Sequence, residues 1–263
     1  VVLGRYTNAT RLTARIWCDT LAARGYLAMT IDYGNLDTSV YPKPQRAFKI
    51  AVEFLRRNAA SFGITTGRII GFGQSQGSLI LGQTVIWDND NAFFGTDPTV
   101  NDRLDAAVLL YGAYDMFNYM LPIQNTILTS HFSPNPSLRG TKGQCVSNAG
   151  NITTPILLIH GSGDQVVNLI HSRMLRDSLQ AHGKSMKLFE LTGAPHVFDI
   201  VPDGPFTSLG LVAKDTVLGW LESVFVTSVV SPGMNFPQTT ELQQNYPNPF
   251  NPVTAIRYQL AAS

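Results

Sequence analysis

The stretch that most constrains this chain is Ile69-Ile70-Gly71-Phe72-Gly73-Gln74-Ser75-Gln76-Gly77-Ser78-Leu79-Ile80. A short apolar run ends in Gly-x-Ser-x-Gly and resumes as an apolar segment of helical spacing, which predicts strand, sharp turn and helix with Ser75 on the turn. That geometry suits a nucleophile. A serine hydroxyl attacks weakly until a base takes its proton, and a tight turn lifts the oxygen clear of the sheet where a histidine can reach it. Gly73 and Gly77 are required on this reading, because side chains there would collide with the neighbouring strand and helix.

The flanking sequence alternates between the two periods. Leu12 to Arg24 reads as a helix with Leu12, Ile16, Trp17 and Leu21 on one face, stopped by Gly25. Leu27 to Tyr33 reads as a strand covered on both faces. After Pro42 and Pro44, the residues Ala47, Ile50, Ala51, Phe54 and Leu55 mark a second amphipathic helix. The helix after Ser75 runs to about Trp87, and buried-type strands at 106–111 and 155–160 and a strand at 187–191 alternate with helices at 169–182 and 209–225. This order predicts an α/β fold, a three-layer α/β/α sandwich on a mostly parallel sheet, with chemistry at the carboxyl ends of the strands. Residues 112–154 break the rhythm, mixing Gly, Pro, Asn and Ser with aromatic residues, as a lid or binding insertion would. Tyr114, Phe117, Tyr119 and Phe132 are the candidates there for a substrate pocket.

Composition narrows the function classes. At 263 residues, 44% hydrophobic and 14% charged, the chain fits one large domain with something small attached. A net charge of +1 without a dense Lys/Arg cluster gives no reason to expect nucleic acid or an anionic membrane as partner. No apolar run reaches bilayer length, and the first residues lack a signal-peptide layout. The chain opens on Val1-Val2-Leu3 without Met, as a piece of a longer protein would. Cys18 and Cys145 could form at most one bridge, and Cys18 reads as a small core residue. No metal-type spacing of Cys and His occurs, and neither a metal nor a cofactor is expected.

A base and an acid must complete the constellation. His171 and His182 fall on a helical stretch, whereas His196 lies in Thr192-Gly193-Ala194-Pro195-His196-Val197-Phe198, a loop just past a strand end. His196 is therefore the candidate base. Asp164, in His160-Gly161-Ser162-Gly163-Asp164, follows a buried strand on the same sheet edge and is the candidate acid. Asp115 is the substitute; Asp199 and Asp203 read as ordinary loop residues, and His160 as structural.

The order Ser75, Asp164, His196 is that of the α/β-hydrolase fold, and over roughly residues 1–226 the chain resembles the carboxylesterase and lipase branch of that family. Arg24-Gly25-Tyr26 before a strand ending Ile31-Asp32-Tyr33 looks like that branch's first helix and fourth strand. Gly73 to Gly77 matches the nucleophile elbow, His160-Gly161 with Asp164 the acid turn, and Gly193 to Phe198 the histidine loop. The resemblance implies that the backbone N–H of Gln76 serves the oxyanion hole. The family's His-Gly-Gly-type loop, source of the second donor, is absent: either Val1 to Leu3 is the third strand and Gly4-Arg5 replaces the loop, or the chain begins beyond it.

From Val229 the composition changes, giving expected boundaries of 1–228 for the hydrolase domain, 229–244 for a linker and 245–263 for a β tail. Leu242-Gln243-Gln244-Asn245-Tyr246-Pro247-Asn248-Pro249-Phe250-Asn251-Pro252, with Thr254, Ile256, Tyr258 and Leu260, resembles the beginning of the C-terminal sorting domain of the bacterial type IX secretion system. That resemblance implies a secreted or cell-surface bacterial protein with the secretion machinery as partner. The function expected is a secreted serine carboxylic-ester hydrolase acting on a small-molecule or polymer ester through an acyl-enzyme. The alternatives are a serine peptidase of the prolyl-oligopeptidase type and a non-catalytic surface binding module on the same fold.

Overall fold

The structure is a computed structural model, and it describes residues 2–4, 14–34, 39–65, 67–88, 90–201 and 204–225, with two short strands at 241–242 and 258–259. The chain divides into two compact units, Val1–Phe225 and Val226–Ser263. Most of the linker and tail expectations lie outside the described residues; within the second unit, Glu241–Leu242 pairs antiparallel with Tyr258–Gln259.

The first unit runs β1 (Val2–Gly4), α1 (Arg15–Ala22), β2 (Met29–Ile31), α2 (Lys43–Arg57), α3 (Ala59–Phe62), β3 (Ile70–Gln74), α4 (Gln76–Ile86), α5 (Asn91–Phe94) and β4 (Ala106–Leu110). It continues with α6 (Pro122–His131), α7 (Ser137–Gly140), β5 (Ile156–Gly161), α8 (Ile170–Ala181), β6 (Met186–Leu191) and α9 (Ser208–Phe225). Its six strands form one parallel sheet in the order β2-β1-β3-β4-β5-β6. Among the described residues no helix is long and apolar enough to cross a membrane.

The sheet is buried on both faces because its central strands are apolar apart from Gln74 in β3 and His160 in β5, both at their carboxyl ends. In β4, Ala107 and Leu109 enter the layer built by Phe48, Val52 and Leu55 of α2, Leu79 to Ile86 of α4, and Leu175 and Leu179 of α8. Ala106, Val108 and Leu110 point the other way, against Trp17 and Leu21 of α1 and Val217, Trp220 and Leu221 of α9. This alternation is the period of two of a strand, and each fully buried Leu, Ile or Val contributes roughly 1.5–3 kcal/mol.

Several expectations needed correction. The strand at 27–33 is the short β2 at the edge of the sheet and only half-buried, since β1 covers one of its sides and no strand the other. Ile50 and Phe54 face outward at 42% and 46% exposure, because Phe48, Val52 and Leu55 set the buried stripe of α2. Leu211 and Val212 of α9 are likewise exposed. Within residues 112–154, read as a lid or binding insertion, α6 lies over the carboxyl edge of the sheet, where its side chains form one wall of a cavity.

The last residue of α6 anchors that helix. His131 is fully buried, its Nδ1 lies 2.5 Å from the Ser39 carbonyl oxygen, and its own carbonyl accepts the Tyr41 N–H at 2.7 Å. A carbonyl only accepts, so Nδ1 carries a proton. Burial pushes its pKa down to about 4, against a smaller upward pull from the Ser39 carbonyl. An unfolded histidine titrates near 6.5, so between about 6.5 and 4 the unfolded chain binds the extra proton and stability falls as the pH is lowered. Asp88, pushed up to about 6 by burial, titrates with the opposite sign over part of that window. The expected outcome is therefore read as a difference: urea denaturation at pH 7.5, 5.5 and 4 should show wild type losing a few kcal/mol more than His131→Gln.

Candidate active site

The site begins with the turn between β3 and α4. Ser75 has φ 52° and ψ −117°, a conformation L-residues avoid, and it is held there by its N–H to the Leu110 carbonyl at 3.0 Å and by Ser78 N–H to its own carbonyl at 3.0 Å. Gly73 is obligatory because a Cβ there would lie 2.6 Å from both Gly77 O and Ser78 Cα. Gln76 opens α4, so its N–H is one of the donors that a helix leaves without an intrahelical partner.

Two loops at the ends of β5 and β6 bring the other candidates to Ser75. They are stitched by Ser162 N–H to Leu191 O (2.9 Å), Gly163 N–H to Ala194 O (3.0 Å) and Gly193 N–H to Ser162 Oγ (2.8 Å). The backbones approach so closely that a Cβ at Gly161 would collide with the Ala194 carbonyl, and one at Gly163 would lie 2.6 Å from Gly193 O. Glycine at these two positions is what lets the acid turn and the histidine loop touch.

The three side chains then form a line. Ser75 Oγ lies 2.9 Å from His196 Nε2, and His196 Nδ1 lies 2.7 Å from Asp164 Oδ2. Asp164 Oδ1 accepts the Val166 and Val167 N–H groups at 2.8 Å each. Burial by itself would push the Asp164 carboxyl up, but hydrogen bonds from His160, His196 and the Val167 N–H outweigh it and hold the carboxyl well below the usual carboxylate range. The carboxylate is thus ionised, His196 carries its proton on Nδ1, and Nε2 is free to take the Ser75 proton.

The fully buried His160 contributes too. Its Nε2 lies 2.9 Å from the Val167 carbonyl, which fixes the proton on Nε2, and 3.3 Å from Asp164 Oδ2; its Nδ1 accepts from Ser172 Oγ at 2.7 Å. Asp115, the substitute acid, spends its oxygens on the Phe117 and Asn118 N–H groups and the Asn118 side chain. Gly4 ends β1, in register with Gly73, so Val2 to Gly4 form the strand beside β3. Arg5 lies outside the described residues, as does Asp203.

Beside Ser75 is a cavity of about 250 Å³ lined by Gln76, Leu79, Ala113, Met120, Ile123, Gln124, Ile127, Leu128, Val166 and Val167. The four aromatic candidates are not in its wall. Tyr114 is fully buried with its hydroxyl 2.7 Å from Ser78 Oγ, and Phe132 packs on Tyr41 in the core. Phe117 and Tyr119 are 57% and 60% exposed, Phe117 lying under the Arg139 guanidinium. The wall comes instead from α6, whose Ile123, Ile127 and Leu128 share one helical face; that spacing after Pro122 was the overlooked signal.

Asp199 also departs from expectation. It is no solvated loop residue but fully buried, accepting from Trp17, Gln74 and Tyr111. The clue was Gln74, a polar residue directly before Ser75 in an otherwise apolar strand.

A profile of the BD-FAE family matches residues 6–179. The chain belongs to the BD-FAE family. The matched span includes Ser75 and Asp164 and ends before His196. The chain is 27% identical over 197 residues to esterase LipC of Mycobacterium tuberculosis strain ATCC 25618/H37Rv, covering 71% of this chain and 48% of that protein. It is 26% identical over 199 residues to the isoprenylcysteine alpha-carbonyl methylesterase ICME of Arabidopsis thaliana, covering 67% and 44%. The chain thus spans about half the length of the relatives it matches. Among solved structures it superposes on the carboxylesterase Cest-2923 from Lactobacillus plantarum WCFS1 with a TM-score of 0.69 at 14% identity, covering 84% of this chain and 85% of that one. Esterase B from Lactobacillus rhamnosis gives 0.72 at 14%, covering 85% and 75%. These likenesses show the α/β-hydrolase fold for this BD-FAE member.

The stitched loops yield a prediction. Gly161→Ala must part the acid turn from the histidine loop, so thermal denaturation should show a loss of about 1–3 kcal/mol. The His196–Asp164 contact should lengthen in a crystal structure of the variant.

Proposed function

We propose that this BD-FAE member is a serine carboxylic-ester hydrolase. Ser75 attacks the ester carbonyl, His196 takes its proton and returns it to the leaving alkoxide, and Asp164 holds His196 in the required tautomer. The acyl-enzyme so formed is released by water along the reverse route. The N–H of Gln76 donates to the tetrahedral oxyanion, a donor whose loss typically costs about 100- to 1,000-fold in rate. The observation that carries this reading is the line of two hydrogen bonds from Ser75 Oγ through His196 to Asp164.

The cavity favours an uncharged aliphatic acyl or alcohol group as substrate portion. Among the described residues its wall presents aliphatic side chains, Met120 and two glutamines, with neither a charge nor an aromatic ring. An aminoacyl amide of the kind a prolyl-oligopeptidase-type enzyme cleaves brings a cationic amine, for which this wall holds no anionic partner. Export to the cell surface or medium is part of the proposal; its support is the tail sequence Asn245 to Pro252, and detection of the mature chain in culture medium checks it.

A fluorophosphonate probe and an aryl-ester assay test the catalytic reading. Wild type should be labelled and should hydrolyse short-chain aryl esters far faster than aminoacyl anilides. Ser75→Ala should lose both labelling and at least about 1,000-fold of kcat. Wild type that folds but neither labels nor hydrolyses favours the non-catalytic binding module.

Asp164→Asn separates orientation from bulk. It should retain the fold and KM while kcat falls by roughly 1,000- to 10,000-fold, because the amide can set His196 in the wrong tautomer.

A further inference from the structure

Four non-glycine residues among those described have positive φ, and three of them lie on the segments that meet at one buried carboxylate: Ser75 at 52°, Tyr111 at 40° and Val197 at 54°. Gln74, immediately before Ser75, donates through Nε2 to Asp199 Oδ2 at 2.5 Å and to the Tyr111 hydroxyl at 3.1 Å. Tyr111 donates its own hydroxyl to Asp199 Oδ1 at 2.6 Å. Trp17 of α1 closes the set, its Nε1 2.8 Å from Asp199 Oδ2. Asp199 itself stands two residues beyond Val197 and three beyond His196.

The cluster touches the candidate base directly. The Tyr111 ring lies edge-on to the His196 imidazole, with centroids 4.9 Å apart and planes at 69°, and its other neighbour is Phe198 at 5.2 Å. The backbone behind Asp199 is fixed as well: its carbonyl accepts the Thr207 N–H at 3.1 Å, and only a glycine at 210 lets α9 start against it.

We propose that Asp199 is a positioning residue whose carboxylate clamps the nucleophile turn, the end of β4 and the histidine loop into the one arrangement where Ser75 meets His196. The proposal rests on the reading of Ser75 and His196 as nucleophile and base. Strained backbone persists only where surrounding contacts over-determine it; of the three positions Tyr111 bonds Asp199 through its own hydroxyl, Ser75 directly follows the bonded Gln74, and Val197 stands two residues before Asp199. An apolar side chain of equal size would fill the space without burying a charge. What it would not do is fix the direction of three segments at once, because dispersion contacts do not depend on angle as hydrogen bonds do.

The test uses Asp199→Ala, Asp199→Asn and Tyr111→Phe in the full chain. Thermal melting confirms folding, kcat and KM are measured on an aryl ester, and proton NMR follows the downfield His196 Nδ1–H bonded to Asp164. Asp199→Ala should lower kcat by about 100-fold with KM within about twofold, the size of effect that a misplacement near 1 Å produces, and should shift or broaden the His196 resonance. Asp199→Asn keeps an acceptor oxygen for Trp17 and Gln74, and should recover about tenfold of that loss.

A folded Asp199→Ala with wild-type kcat and an unmoved resonance overturns the proposal. If that variant does not fold, Tyr111→Phe decides, since it removes only the hydroxyl with its two bonds and leaves the ring on His196. Because Tyr111→Phe removes both bonds of that hydroxyl, the one to Asp199 and the one from Gln74, a fall of about tenfold in kcat with a moved resonance supports the clamp, and no change in either overturns it. Wild type that neither hydrolyses esters nor reacts with a fluorophosphonate would sink the esterase reading instead, and the clamp would then stand or fall on the resonance alone.

Discussion

The site depends on one carboxylate that is withdrawn from water and nevertheless ionised. Asp164 has a side chain with no exposure, and burying an isolated charge there would drive it to neutrality. Four donors prevent this: two backbone N–H groups on Oδ1, and the imidazoles of His196 and His160 on Oδ2. With Asp164 charged, the tautomer of His196 follows, and with that tautomer the Ser75 proton has an acceptor. A neutral Asp164 would leave His196 free to present N–H on the wrong side, and no arrangement of Ser75 could compensate.

Residues 75, 164 and 196 are far apart along the chain, and the sheet closes that distance. Parallel strands all end on one side, so the loops after β3, β5 and β6 emerge as neighbours. That alone brings side chains within several ångströms; the hydrogen-bonded line needs the last two or three. The missing Cβ atoms at Gly161 and Gly163 supply them, since the acid turn rests its backbone directly on the histidine loop. Glycine acts here through its size, because neither position is among those with positive φ.

Much of this was legible from the sequence. The Gly-x-Ser-x-Gly at the end of an apolar strand, the glycine-rich turn after the strand at 156–161, and the histidine just past the next strand each declare themselves locally, and the layered fold follows from the alternation of periods. What was not legible depends on contacts between distant segments. Asp199 looks like a loop residue until Trp17, Gln74 and Tyr111 are seen to converge on it, and none of them is near it in sequence. Tyr114 and Phe132 looked like pocket residues because aromatic side chains in an insertion suggest a ligand, whereas burying a large ring in the core is as favourable as any contact it could offer a substrate. The strand at 27–33 was misjudged for a related reason: whether an apolar run lies at the centre or the edge of a sheet is decided by its neighbours, not by itself.

The floor and the wall of the cavity are held by different kinds of force, and this bears on how such a site can change. The floor, where Ser75, Gln76, Val166 and Val167 reach the cavity, is over-determined: the Ser75 turn and the two loops are cross-linked by hydrogen bonds, and Gln74 of that turn bonds Asp199, which lies outside the lining. The wall is α6, whose inward face is aliphatic and whose attachments lie at its two ends and its flank. Gln124 reaches from its first turn to the Val166 carbonyl at 2.9 Å, Arg139 spans to Asn125 and the Met116 carbonyl, and His131 ties the far end to Ser39. Aliphatic positions between such attachments, Ile123 and Ile127 above all, can exchange size without disturbing a hydrogen bond. A change in the floor alters whether the line of Ser75, His196 and Asp164 forms at all, whereas a change in the wall alters only what can be laid against it. On the proposed reading, chemistry and selectivity are carried by separate parts of the fold, and the boundary between them runs through Val166 and Val167, whose N–H groups hold Asp164 and which also line the cavity.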